Sequence, residues 1–239
     1  MRAIILAAGR GSRMGNLTDD RPKCLLSIGG QTLLERQISA LSEAGIKEVS
    51  IVTGYKRELV LKPEIKEFHN FKWSTTNMVS SLYCADEWLS TGPCIVTYSD
   101  IFYESSAVKL LCESKEDLAL TYDPCWVELW EKRFGDPLVD AETFRFNYKQ
   151  ILTEIGNQPE KIDEVHGQYM GLLRFTPEGW RELLRVREGL DTDEKDRIHL
   201  TGILQKIILA GNTPIAVIPY YGEWGEVDTK TDLTLYSET

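Results

Sequence analysis

The sequence predicts an α/β protein: a mostly parallel, mixed β-sheet with helices on both faces. Three observations predict it. Apolar strand patterns alternate with helical patterns through the first half. The first strand pattern, Ala3–Ala7, runs straight into a glycine-rich loop, Ala8-Gly9-Arg10-Gly11-Ser12-Arg13-Met14-Gly15. A later strand pattern, Cys94–Tyr98, stops just short of a carboxylate, Asp100. In sheets of this kind ligands bind at the carboxyl ends of the strands, and the glycine loop, Gly54-Tyr55 and Asp100 all fall there.

Taken in order, Ala3–Ala7 is an apolar strand. Leu33–Ala44 places Leu33, Leu34, Ile38 and Leu41 at helical spacing and stops at Gly45, a glycine helix-end signal. Val49–Thr53 is the second strand, ended by Gly54-Tyr55; Met78–Leu89 reads as a helix and Cys94–Tyr98 as the third strand. The second half is less regular. Phe144–Phe146, Gly167–Phe175 and Ile215–Pro219 read as strands, Pro177–Glu188 and His199–Ala210 as helices. No repeat, low-complexity tract or linker interrupts the chain, so residues 1–239 are expected to form one domain.

Composition narrows the function classes. Apolar content of 42% and charged content of 27% suit a soluble globular protein with one sizeable core. A net charge of −10 argues against nucleic acid or an anionic membrane as the main partner. The five cysteines show no C-x-x-C spacing, which suggests reduced thiols and a cytoplasmic location rather than a disulfide framework or zinc site. No apolar run approaches the ~20 residues of a membrane span.

Gly9 and Gly11 let the backbone approach a ligand closely, and successive N–H groups there can form an anion-binding concavity. Arg13 and Lys23 add positive charge, so the loop is suited to a polyphosphate. It is neither a Walker A loop, which needs G-x-x-x-x-G-K-[ST], nor a dinucleotide fingerprint. In the latter a glycine would stand at Met14, and Gly15 comes one residue late.

Leu6-Ala7-Ala8-Gly9-x-Gly11-Ser12-Arg13 followed by Pro22-Lys23 resembles the signature of the nucleotidyltransferases that make nucleotide-sugars and CDP-alcohols. Within that superfamily the chain is similar to the small cytidylyltransferases of the phosphocholine, phosphonate and phosphoglutamine types. The resemblance implies a Rossmann-like sheet of the nucleotide-diphospho-sugar transferase type. A nucleotide-binding part would span about 1–120 and an acceptor-binding part about 121–239. It implies transfer of CMP from CTP to a small phosphorylated or phosphonate acceptor, with pyrophosphate released. The implied nucleotide contacts are Leu6, Ala7, Ala8, Gly9, Gly11, Ser12, Arg13, Lys23 and Ser99, with Lys23 and Arg13 catalytic. The acceptor is already an anion, so no general base is needed; the three histidines, His69, His166 and His199, are expected to be structural or exposed.

Asp100 and Asp228 match the superfamily's two magnesium carboxylates, the second within Glu226-Val227-Asp228-Thr229. Each has a plainer reading as a loop or helix-capping residue. Asn77-Met78-Val79-Ser80-Ser81-Leu82-Tyr83 resembles the segment beside the base in the small cytidylyltransferases. Thr76 and Asn77 can each donate and accept as a pyrimidine edge requires, or can simply cap a helix. The second half combines Asp136, Asp140, Glu142 and Glu226 with Trp126, Trp130, Tyr169 and Trp224, a mixture suited to an amine-bearing acceptor through charge and cation–π attraction. From that mixture Asp140, Glu142, Tyr169 and Glu226 are the expected acceptor contacts; equally, the aromatics are core and the acids surface. The sequence is compatible with a homodimer. The competing functions are a sugar-1-phosphate nucleotidyltransferase using UTP or dTTP, and a non-catalytic nucleotide-binding subunit; the latter is disfavoured because Lys23, Asp100 and Asp228 are all present.

Overall fold

The computed structural model describes residues 1–237. Among them, seven strands form one sheet in the spatial order Ile215–Pro219, Leu118–Asp123, Gln168–Phe175, Cys94–Tyr98, Arg2–Ala7, Glu48–Thr53, Lys66–His69. Arg2–Ala7 lies between two parallel neighbours, Glu48–Thr53 and Cys94–Tyr98. Ala3, Ile4 and Ile5 are fully buried, so both faces of this strand are covered. That is why it reads as a continuous apolar run rather than an alternating one. Gln168–Phe175 runs antiparallel to both its neighbours. Its first residues therefore lie at the same rim as the carboxyl ends of the other strands, with Gln168 opposite Asp123 and Tyr169 opposite Tyr122.

The helix Leu33–Glu43 opens on a reciprocal capping box between Thr32 and Glu35. It is followed by Gly45 at φ +86°. The helix expected over Met78–Leu89 is two: Met78–Tyr83 and Asp86–Leu89. Ala85 leaves helical dihedrals between them, at φ −97° and ψ 17°. Strands Lys66–His69 and Leu118–Asp123 and the helix Trp126–Phe134 were not expected. Met14, Leu26, Ile28, Leu33, Phe102 and Val227 form a second, smaller buried cluster. It pins the glycine loop, through Met14, to the C-terminal segment, through Val227. No helix among the described residues is long and apolar enough to cross a membrane.

Candidate active site

The glycine loop follows strand Arg2–Ala7. Gly11 sits at φ +75°, where a Cβ would come 2.9 Å from the Lys23 Cβ, so glycine lets the Lys23 stem pack against the loop. Around Gly9 a Cβ would meet nothing within 4 Å. Leu6, Gly9, Gly11, Ser12, Lys23 and Ser99 line one cavity, joined by Arg13 and Asp100. Ala7 and Ala8 lie buried beneath it, the Ala8 carbonyl accepting from the Tyr55 N–H at 2.9 Å. Gly54-Tyr55 thus braces the loop; the Tyr55 hydroxyl also donates to the Asp19 carbonyl at 2.7 Å.

Lys23 is 8% exposed and its ammonium binds two carboxylates, Asp100 at 2.8 Å and Asp228 through a hydrogen bond. Burial disfavours its charge, but Asp100 and Asp228 more than offset this and hold its pKa above the ordinary value. Arg13 reaches Asp228 at 3.0 Å and Asp140 at 3.9 Å. Asp228 comes from a distant part of the chain. A two-stranded ribbon, Ile101–Tyr103 against Trp224–Glu226, makes the junction. It continues as Val227 N–H donating to the Asp100 carbonyl at 2.9 Å.

One oxygen from each of Asp100, Glu226 and Asp228 lies within 4.8 Å of the others. Burial, with Asp228 and Asp100 beside it, pushes Glu226 up to about 8, against Arg133 and Lys23. Burial also works on Asp228, but Lys23 and Arg13 prevail and lower its pKa. The second Asp100 oxygen, Oδ1, is buried with no hydrogen-bond partner among the described residues. Neither aspartate is a helix cap: Glu104 precedes the helix Ser105–Glu113, and Asp232 receives the Asp228 and Thr229 N–H groups. Glu226, expected on the acceptor side alone, belongs to this trio as well.

Beneath the trio lies Arg133, which the sequence reading missed. Its guanidinium is fully buried, 2.9 Å from Asp232 and 3.2 Å from Glu226, over the Trp130 ring at 4.6 Å. Asp232 in turn accepts from the backbone of Asp228 and Thr229 and from the Thr229 hydroxyl. The network holds the acidic segment in place.

A second cavity adjoins the first and shares Arg13, Met78 and Tyr98 with it. Asp140, Glu142, Tyr169 and Glu226 all line it, as do Asp228 and His199. Desolvation raises the pKa of Asp140, aided by Asp228 and opposed by Arg13. Desolvation likewise raises Glu142, opposed by the Thr201 hydroxyl and His199. His199, expected to be structural or exposed, is exposed and lines this wall.

Other residues go elsewhere. Trp126 and Trp130 are buried in the core, and Trp224 stacks on Trp130 while donating its indole N–H to Asp123 at 2.9 Å. The helix Trp126–Phe134 turns these rings inward because Trp126 and Trp130 are one turn apart. Asp136 is exposed and caps a short turn by accepting the Leu138 N–H at 3.0 Å. Thr76 and Asn77 are not brought to either cavity wall. The Thr76 hydroxyl pairs with Asn70 and the Lys72 carbonyl. The Asn77 side chain accepts from Met78 N–H and donates to the Arg197 carbonyl. Met78 instead reaches both cavities.

A phosphate-suited loop, a buried lysine among carboxylates and a mixed α/β sheet together define a nucleotidyltransferase. Residues 3–159 match the MobA-like NTP transferase domain family, and the chain belongs to it. It is 36% identical to the CTP:phosphoglutamine cytidylyltransferase of Campylobacter jejuni, over the whole of both chains. Two solved structures share the fold. One is a Bacillus anthracis protein provisionally described as a glucose-1-phosphate thymidylyltransferase, with a TM-score of 0.79, 15% identity, and coverage of 100% of this chain and 94% of that one. The other is the CTP:phosphocholine cytidylyltransferase of Streptococcus pneumoniae, with a TM-score of 0.70, 19% identity, and coverage of 99% and 97%. The fold alone therefore does not choose the nucleotide.

Proposed function

We propose that this protein is a magnesium-dependent cytidylyltransferase that moves CMP from CTP onto a small, amine-bearing phosphate or phosphonate acceptor. The observation that carries the reading is the adjacency of two cavities with a shared wall. The first offers the glycine loop and Lys23; the second offers Asp140 and Glu142; Arg13 belongs to both. The full-length likeness to a cytidylyltransferase supports CTP as the donor.

In this reading the acceptor's anionic oxygen attacks the α-phosphorus of CTP in line. A P–O bond forms there, and the bond to the β-phosphate oxygen breaks to release pyrophosphate. The acceptor needs no deprotonation, so positioning and charge neutralisation do the work. Lys23 and Arg13 offset the repulsion between the two anions. Asp100, Glu226 and Asp228 suit a hard cation: their oxygens converge, and the buried Asp100 Oδ1 awaits a partner. Magnesium bound by them would neutralise phosphate charge. Asp140 and Glu142, close to an incoming anion, are tolerable where the acceptor's positive end neutralises them.

The test is pyrophosphate release with CTP, UTP, dTTP, ATP and GTP against a panel of acceptors, with and without EDTA. We expect CTP with an amine-bearing acceptor to be fastest and EDTA to abolish turnover. Efficient use of UTP or dTTP with glucose-1-phosphate, with amine-bearing acceptors inert, overturns the reading.

A further inference from the structure

We propose, building on the acceptor assignment above, that the second cavity selects a primary ammonium over a quaternary one, with Glu142 and Asp140 receiving its N–H groups. The two cations need different surroundings. A quaternary ammonium has no N–H to donate and is held by the faces of aromatic rings. A primary ammonium carries three donors and is held by acceptors.

The aromatic faces are already occupied. One face of Trp130 carries the Arg133 guanidinium at 4.6 Å, and the ring also stacks with Trp224 at 6.0 Å. Trp126 is 2% exposed. The two tyrosines on the cavity wall, Tyr98 and Tyr169, meet edge to face, with centroids 5.8 Å apart and planes at 88°. One ring therefore covers part of the other's face, and the two do not enclose a trimethylammonium group.

Beside Met78 and Met170, hydrogen-bonding groups make up much of the rest of the wall. Asp140, Glu142, Gln168 and Thr201 all line it. Glu142 lines the wall beside the Thr201 hydroxyl and His199 and is in no ion pair among the described residues, whereas Asp140 already shares Arg13 at 3.9 Å. Glu142 is accordingly the main determinant. The Tyr98 and Tyr169 hydroxyls are buried in the same wall and, beyond each other, have no partner among the described residues. The cavity wall thus offers hydrogen-bond acceptors as well as negative charge, the chemistry of an –NH3+ site.

The experiment compares acceptors that differ only in N-methylation: phosphoethanolamine with phosphocholine, 2-aminoethylphosphonate with its N,N,N-trimethyl form, and phosphoglutamine with its N,N,N-trimethyl form. Pyrophosphate release with CTP is followed for wild type and Glu142→Gln. The best primary amine should exceed its trimethyl partner in kcat/KM by about 10- to 100-fold, the effect of a lost hydrogen bond to a charged group. Glu142→Gln should raise KM for the primary amine by a similar factor, leaving KM for CTP and for the trimethyl partner within about twofold. Equal or better turnover of the trimethyl partners overturns the selectivity, as does an equal effect of Glu142→Gln on both members of a pair. If no amine-bearing acceptor is turned over at all, the acceptor assignment itself falls, and this inference with it.

Discussion

The Lys23 ammonium lies 2.8 Å from the Asp100 carboxylate, and both are at the rim of the sheet. Asp228 completes the pairing from the other side. Lys23→Met should reduce kcat/KM by about 10²–10³, the usual loss when one donor to developing charge is removed. It also strands the Asp100 carboxylate and leaves Asp228 with Arg13 alone, at a cost of up to about 3–5 kcal/mol. In EDTA its Tm should fall well below wild type, and magnesium should restore part of the loss. Thermal unfolding with and without magnesium checks this; turnover within a few-fold of wild type refutes it.

Gly11 and Gly9 should respond differently to alanine. Gly11 has φ +75°, and its new Cβ would press on the Lys23 stem at 2.9 Å. Left-handed alanine costs about 1–2 kcal/mol, so Gly11→Ala should lower both Tm and turnover. Gly9→Ala meets nothing within 4 Å, so its Tm should hold while KM for the nucleotide rises, because the methyl enters the cavity. Equal Tm losses for the two variants would contradict this account of the loop.

Arg133 should be intolerant even of lysine. Its guanidinium engages Asp232 through Nε and Nη2 and Glu226 through Nη1, a fork that an ammonium cannot reproduce. Arg133→Met should cost about 3–5 kcal/mol in urea unfolding, since it leaves buried acids unpaired. Arg133→Lys should recover little of that stability. A lysine variant with wild-type stability and wild-type magnesium dependence would remove Arg133 from the site's support.

Glu226 should give the metal-free protein a pH-dependent stability. Its pKa is pushed up to about 8 in the fold from an ordinary 4.5, so between these values the folded state keeps a proton that the unfolded chain releases. Stability therefore falls as pH rises from about 4.5 to about 8 and is level above. The slope is at most about 1.4 kcal/mol per pH unit, and less here because the side chain is 21% exposed. Glu226→Gln should flatten Tm against pH in EDTA over that window. Identical profiles for variant and wild type would refute the shift.

Much of this was legible because it is local. Gly9, Gly11, Arg13 and Lys23 fall within one short stretch, and Asp100 lies two residues past the end of its strand. The apolar run Ala3–Ala7 needed no partner to be read as a strand. What was missed is long-range or depends on which face is buried. Leu118–Asp123 is buried throughout, a short apolar run that could have been read as another strand. Arg133 carries no local sign of its role, since its partners Asp232 and Glu226 lie 99 and 93 residues away. Trp126, Trp130 and Trp224 looked like ligand-binding rings because composition does not say which way a ring faces.

By itself the sequence determined the class of sheet and the phosphate loop with its lysine, since spacing along one strand and its following loop dictates these; the two aspartates were picked out by the resemblance of their own segments to the superfamily's pattern. The tertiary structure decided the rest. The ribbon between Ile101–Tyr103 and Trp224–Glu226 brings Glu226 and Asp228 against Asp100. The reversed strand Gln168–Phe175 delivers Tyr169 to the same rim. Helix packing sends the tryptophans to the core and leaves carboxylates on the second cavity's wall. Such outcomes depend on which distant surfaces are buried together, and burial is a property of the folded chain as a whole.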